Sequence, residues 1–187
     1  MVNVTELWLP ILVSPVLIFL VSSVIHMLTP WHKDDYRTVP NEDGAMQALR
    51  PFGLTPGDYM MPRPSSMADM QSPAFLEKVR QGPKVVMTVL PAGPMTMTRN
   101  LVGWFAYLLV IAAIVGELDA MVLRRGADGH DVLHVTLITS FLGYAAALWQ
   151  MTVWYNRSVG TTLRSTIDGL IYAAMTAGVF AYFWPGA

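Results

Sequence analysis

Cysteine is absent from this chain, and charged residues are scarce. The absence of cysteine excludes disulfides, zinc–thiolate centres, iron–sulfur clusters and thiol nucleophiles. Charged residues make up 13 % of the 187 residues, whereas soluble domains usually contain about 25 %. The net charge of -1 provides no basic field for phosphate groups, so a nucleic-acid partner is not expected. Together with 53 % hydrophobic residues, this composition predicts an integral membrane protein.

Four long stretches of the chain carry no formal charge, and they locate the candidate membrane spans. A bilayer core of about 30 Å requires about 20 apolar residues in a helix. The sequence therefore predicts an all-α integral membrane protein with four transmembrane helices. The predicted spans are Leu7–Leu28, Asn100–Ala120, Val132–Tyr155 and Thr166–Trp184.

The first apolar stretch is expected to be a retained helix rather than a cleaved signal peptide. Its preceding region is acidic at Glu6, and large residues follow it where a cleavage site would require small ones.

The positions of lysine and arginine near the span ends predict the orientation. Cytoplasmic loops carry the excess of these residues. Loops 29–98 and 156–165 are therefore predicted to be cytoplasmic, and both termini periplasmic. The predicted cytoplasmic residues are Lys33, Arg37, Lys84, Arg99, Arg157 and Arg164, against Arg124 and Arg125 on the other side.

The loop after the first span is long, and we expect it to be ordered. Residues 29–98 contain ten of the 13 prolines and eight of the 13 methionines, with seven basic and seven acidic residues. Ser72, as the cap, and Pro73 predict the start of a short helix. Asn41–Leu49 is a second candidate helix, capped by Asn41, and Lys84–Leu90 is predicted to be extended. The predicted units are the first helix (1–28), this cytoplasmic loop (29–98) and a three-helix membrane bundle (99–187).

Small residues spaced four apart predict where helices approach each other closely in lipid. They indicate contacts within the bundle, with a partner's helices, or with both. The predicted packing residues are Ala112 with Gly116, Gly143 with Ala147, and Ala174 with Gly178.

Histidines provide only weak metal candidates. His130 and His134 lie one helical turn apart, a spacing that suits a metal ion, but no third ligand is evident nearby in the sequence. His26 and His134 are expected at opposite ends of their spans, which disfavours shared haem ligation. The sequence therefore predicts no metal and no cofactor.

Within the predicted spans and their flanks, acidic residues are expected at the span ends and not in the middle. Asp168 lies in the first turn of the fourth span, where the helix dipole favours an anion. Arg164 is four residues earlier, so Arg164 and Asp168 are predicted to form a structural ion pair. Glu117 and Asp119 are expected at the outer interface near Arg124 and Arg125. No acid is predicted at the middle of a span, so a proton or cation relay lacks its usual parts.

No motif for a nucleophile, a phosphate loop or a dinucleotide is present, and no catalytic residue is predicted. A membrane enzyme that uses His32, Asp34 and Asp35 remains a hypothesis, and it ranks below the accessory subunit and the transporter or channel described at the end of this section.

Several short motifs resemble a group of small bacterial four-helix inner-membrane proteins. They are the residues 31–36 (WHKDDY), 63–67 (RPSSM), 168–172 (DGLIY) and 184–185 (WP). The resemblance implies a location in the bacterial inner membrane. It implies no activity, cofactor or catalytic residue.

The leading functional hypothesis is a non-catalytic accessory or scaffold subunit of a larger inner-membrane complex. Its expected partners are membrane lipids and other membrane-protein subunits, or further copies of the same chain. The alternative is a small homo-oligomeric transporter or channel, which would need a polar stripe facing a shared pore.

Overall fold

The computed structural model describes residues 2–94 and 96–186. It is mostly helical, with 69 % of residues in helices and little sheet. The chain divides into two compact units, one formed by residues 2–37 together with 96–186, and the other by residues 38–94. We call these the bundle and the 38–94 segment.

Long helices form the bundle. The first, α1, is preceded by a 3₁₀ turn that Asn3 and Glu6 cap reciprocally. The helices are α1 (Trp8–Leu28), α5 (Thr98–Val122), α6 (Gly129–Tyr144), α7 (Trp149–Tyr155) and α8 (Val159–Tyr182). Because α1 and α5 begin and end within a few residues of the predicted spans, the apolar runs located them well.

Within residues 2–94 and 96–186, three stretches are long and apolar enough to cross a membrane. They are Val4–Leu28, Thr98–Val122 and Gly129–Tyr155, the last of which includes α6 and α7. The α8 helix is long, but its hydroxyl-bearing and charged residues lower its mean hydropathy, and it is not among these three stretches. The chain is therefore compatible with a multi-pass membrane protein.

The predicted span Val132–Tyr155 is not one continuous helix. The α6 helix ends at Tyr144, the backbone of Ala145 is non-helical, and a 3₁₀ turn at Ala146–Leu148 leads into α7. The hydroxyl of Tyr107 on α5 donates to the Gly143 carbonyl at 2.8 Å. The break contains no proline. Contacts from neighbouring helices accompany it instead, so the local sequence did not indicate it.

The α8 helix packs against both α6 and α1. Its Gly169 lies so close to α6 that an added Cβ atom would be 2.7 Å from the Ala145 methyl group. Ala173 and Ala177, on the same helix, are fully buried. The most polar long helix is therefore among the best packed.

Two hydrophobic clusters fill the bundle. One includes Leu7, Val132 and Phe180, and the other includes Ile18 and Tyr172.

The two ends of the bundle have different contacts. At one end, the Trp184 indole donates to the Arg124 carbonyl at 3.0 Å, and Arg125 forms a salt bridge with Glu6. The end of α8, the loop between α5 and α6 and the start of α1 therefore meet, and we call this the terminal end. We call the opposite end, where α1 ends and α8 begins, the cluster end, after the group of polar side chains described in the next section.

The 38–94 segment contains short elements. They are α2 (Glu42–Leu49), β1 (Gly57–Met61), α3 (Met67–Met70), α4 (Pro73–Gln81) and β2 (Val85–Val89).

The caps and the extended region of this segment largely follow the sequence predictions. Asn41 and Ser72 cap α2 and α4 as predicted. The extended region at 84–90 forms β2, which pairs antiparallel with β1, with Tyr59 opposite Met87. The strand β1 was not predicted, because its GDYMM sequence lacks the usual β-branched residues.

Candidate functional site

The segment that follows α1 folds back onto α8 at the cluster end. Thr29 begins a 3₁₀ turn over Pro30–His32 and caps it with its side chain. The turn presents Trp31 to α8, and the Trp31 indole N–H donates to Oδ1 of Asp168 at 3.1 Å. Asp168 is 3 % exposed. A buried carboxylate is thus oriented by a residue from a distant part of the chain.

His32 lies between two carboxylates. Its Nδ1 atom is 2.8 Å from Oδ2 of Asp35, and its Nε2 atom is 2.8 Å from Oδ2 of Asp168. The first contact has hydrogen-bond geometry. The second does not, and the buried Nε2 atom has no hydrogen-bond partner among the described residues.

Arg164 completes the arrangement by binding the other oxygen of Asp35. Its Nε atom donates to Oδ1 of Asp35 at 2.8 Å. Burial works to raise the pKa of Asp35, but the hydrogen bonds from His32 and Arg164 outweigh it, so the pKa of Asp35 lies below its usual value. Asp35 is therefore a carboxylate that links His32 to α8.

His26, in the last turn of α1, stacks on His32 with ring centroids 4.2 Å apart. One ligand atom from each of His26, His32 and Asp168 lies within 4.8 Å of the other two. No other group of three or more such ligands occurs in residues 2–94 and 96–186. We call the following six residues the polar cluster: His26, Trp31, His32, Asp35, Arg164 and Asp168.

Among the grooves that border the polar cluster, two are large. The first, of about 720 Å³, is mainly apolar and runs between the end of α1 and the first half of α8, beside Lys33 and Arg164. The second, of about 660 Å³, reaches His26 and Asp168. Its wall includes Tyr144 and Tyr172, whose buried hydroxyls have no hydrogen-bond partner among the described residues.

A second buried carboxylate lies near the terminal end. Asp119 on α5 is fully buried and accepts a hydrogen bond from the Thr136 hydroxyl at 2.6 Å. The Thr139 hydroxyl lies 3.4 Å from the other oxygen of Asp119, but the single hydroxyl proton has a closer acceptor in the Val135 carbonyl at 2.9 Å. The sequence analysis expected Asp119 at the interface near Arg124 and Arg125. It is instead inside the bundle, because the hydroxyls of α6 provide its partners.

The predicted ion pair between Arg164 and Asp168 is wrong. Arg164 pairs with Asp35, and Asp168 contacts His32 and Trp31. An arginine four residues before an acid is the less favourable order for a pair within a helix. The segment that follows α1, residues 30–37, instead supplies closer partners to both Arg164 and Asp168. We call it the 30–37 segment.

His130 and His134 lie away from the polar cluster. Their rings stack with centroids 6.0 Å apart on an exposed part of α6. His134 is near the start of α6 and His26 is near the end of α1, so the two lie toward opposite ends of the bundle. Of the residues in the enzyme hypothesis, His32 and Asp35 come together, whereas Asp34 is exposed.

The predicted packing residues divide into two groups. Ala112 and Gly116 are buried, and a Cβ atom at Gly116 would be 2.8 Å from Ile11 Cδ1 on α1. A Cβ atom at Gly143 would be 3.1 Å from Ile111 Cδ1 on α5. The remaining three face outward within the described chain: Ala147, Ala174 and Gly178.

The sequence analysis missed the polar cluster as a unit. His32 and Asp35 were grouped in the enzyme hypothesis, but neither was connected with His26 or Asp168, which are distant in the chain. One available signal was that the 31–36 and 168–172 motifs place aromatic residues, histidine and acids at neighbouring span ends on the same predicted side.

Comparisons with models of protein families, with known proteins and with solved structures found no match to this chain. No activity, ligand or partner is therefore carried over from a relative. The functional inference relies on the bundle, the polar cluster and the 38–94 segment.

Proposed function

We propose that this protein is a non-catalytic accessory or scaffold subunit of a larger complex in the bacterial inner membrane. In this proposal four helices span the bilayer and hold the subunit in the complex. The 38–94 segment lies on the cytoplasmic side and docks onto another membrane-protein subunit.

The contacts of α8 support the fourth span. Its 24 residues extend about 36 Å at 1.5 Å per residue. Arg164 and Asp168, in its first half, contact the segment that follows α1. Trp184, just after its last residue, contacts the loop between α5 and α6. A helix that connects both ends of the bundle crosses the membrane if α1, α5 and α6 do.

The distribution of basic residues supports the orientation. Lys33, Arg99 and Arg164 belong to the cluster end or the chain next to it, whereas Arg124 and Arg125 belong to the terminal end. The positive-inside rule then puts the cluster end in the cytoplasm and both termini in the periplasm. The resemblance of the four short motifs supports the inner membrane as the location in this proposal.

The observation that carries the subunit proposal is that no residue of the described 38–94 segment is buried. Large apolar side chains are exposed there, including Phe52 at 71 % and Leu90 at 67 %. An isolated two-stranded hairpin is marginally stable in water, and long ordered loops without their own core are usually functional. A protein surface that covers these side chains would provide the missing core.

The composition of the segment favours a protein partner over a lipid surface. Its acidic and basic residues nearly balance, whereas attachment to anionic lipid requires a cluster of positive charge. Its methionines are flexible and suit adaptable apolar contacts. The outward-facing Ala174 and Gly178 offer a second, intramembrane contact for a partner helix.

Native mass measurement of the complex tests this proposal. The tagged full-length chain is extracted in mild detergent, and its co-purifying proteins are identified and counted. We expect a stoichiometric membrane-protein partner whose affinity for the chain falls at least about 30-fold in the double variant Phe52→Ser/Leu90→Ser, since the loss of one central apolar contact alone costs about 2 kcal/mol or more. The matched control Lys78→Ser changes an exposed charged residue of the same segment and should retain the partner.

The opposite result contradicts the proposal. Recovery of the chain alone, or a partner retained equally by both variants, would show that the 38–94 segment is not a docking surface. A homo-oligomer without other subunits would favour the alternative of a transporter or channel, which flux measurements in proteoliposomes would then test.

A further inference from the structure

We propose that the polar cluster binds a divalent first-row transition metal ion, with His26, His32 and Asp168 as ligands. Two imidazoles and one carboxylate form a common ligand set for such ions when further positions stay open. This metal site is independent of the subunit proposal, and it departs from the sequence prediction that no metal is bound.

The spacing of the ligand atoms suits a single ion. Metal–ligand bonds of about 2.0–2.2 Å to nitrogen and oxygen leave two ligands of the same ion about 3–4 Å apart. His32 Nε2 and Asp168 Oδ2 are 2.8 Å apart, so these two atoms must separate by a few tenths of an ångström to bind one ion, and the ligand atom of His26 lies within 4.8 Å of both. Since the His26 ring stacks on His32, it must turn to bring its nitrogen to the ion. His26 is exposed and borders the second groove, so the ring has room to turn.

Two of the three ligands are oriented by further contacts. Asp35 accepts from His32 Nδ1, which fixes the ring proton there and leaves the Nε2 lone pair for the metal. The Trp31 indole binds Oδ1 of Asp168 and leaves Oδ2 directed at His32. Arg164 in turn holds Asp35 in place. Carboxylate–histidine pairs of this kind are a regular feature of protein metal sites.

The Nε2 atom of His32 is a further indication, since it lies at ion-pair distance from Oδ2 of Asp168 but makes no hydrogen bond among the described residues. A buried polar atom without a hydrogen bond is costly and rare, yet this one lies next to a buried carboxylate oxygen. A metal ion between them would satisfy both atoms. The second groove reaches His26 and Asp168, so the remaining coordination positions are accessible to water or a small ligand.

Metal titration of the full-length chain tests the site. The protein is purified in detergent with a tag that contains no histidine, treated with a chelator, and titrated with Co²⁺ and then Zn²⁺. We expect one Co²⁺ per chain by elemental analysis, a visible absorption band typical of nitrogen and oxygen ligands, and displacement by Zn²⁺. The variants His32→Ala and His26→Asn should lose this binding. The double variant His130→Ala/His134→Ala is the matched control and should retain it.

Asp35 is a positioning residue in this proposal. Asp35→Asn should weaken Co²⁺ binding about 10–100-fold while the absorption band keeps its shape, because the ligands are unchanged. Asp35→Glu should recover part of the affinity, whereas a purely structural role would not change metal affinity.

Three results would overturn the proposal. They are no stoichiometric uptake by the wild-type chain, equal uptake by His26→Asn, and loss of uptake only in the His130→Ala/His134→Ala control. Because His26 is exposed, the His26→Asn result decides the question even if His32→Ala does not fold. In any of these cases the cluster is an ionic hydrogen-bonded link between the 30–37 segment and α8.

Discussion

Replacing Gly169 with alanine is expected to destabilise the bundle by about 1–3 kcal/mol, the usual cost of overpacking. The added methyl group would be 2.7 Å from the Cβ atom of Ala145 and 3.4 Å from the backbone of Tyr144 and Ala145. Neither neighbour is the end of a flexible side chain, so α8 must move away from the break after α6. The free energy of unfolding, measured by SDS titration with tryptophan fluorescence, checks this.

Gly178→Ala is the matched control on the same helix. No atom lies within 4 Å of its added Cβ position, and alanine has the higher helix propensity by about 1 kcal/mol. The control should therefore be neutral or slightly stabilising. Equal effects at the two positions would mean that close packing at Gly169 does not hold α8 in the bundle.

Thr136→Val is expected to have the second large effect. The substitution keeps the shape of a fully buried side chain but removes the hydroxyl that binds Asp119 at 2.6 Å. Asp119 then keeps only the longer contact from Thr139. A buried polar group that loses its partner costs about 1–3 kcal/mol, and more when charged. The same unfolding measurement checks the result.

Thr166→Val is the control for this substitution. Its hydroxyl donates only to the Thr162 carbonyl of its own helix, so its removal leaves no carboxylate without a partner. A loss of stability at Thr166 as large as that at Thr136 would contradict the account of Asp119.

The sequence predicted those features that depend on neighbouring residues. The apolar runs located α1 and α5, and the capping residues Asn41 and Ser72 located two short helices. It did not predict the break at Ala145, because Gly169 and Tyr107 contact that region from other helices.

The site was less predictable than the helices. Arg164 and Asp168 are close in sequence and suggested a local pair, but each finds its partner in the segment after α1. Asp119 was expected at the outer membrane interface because its hydroxyl partners lie on another helix and are not evident from the neighbouring sequence. In both cases the sequence shows that a polar residue is present at a given position. The tertiary contacts of that residue decide which other polar group it meets.

Cysteine accessibility tests the four-span arrangement most directly, because the natural chain has no cysteine to interfere. Single cysteines replace four residues, and a membrane-impermeant maleimide is applied to intact and to permeabilised cells. The positions are Lys78, Gly129, Ser158 and Tyr182, all of them exposed.

We expect Gly129→Cys and Tyr182→Cys to react in intact cells. Lys78→Cys and Ser158→Cys should react only after permeabilisation. Ser158 and Tyr182 flank α8, so opposite accessibility at these two positions would establish the fourth span. Equal accessibility at Ser158→Cys and Tyr182→Cys would contradict it and leave α8 as a helix that does not cross the membrane.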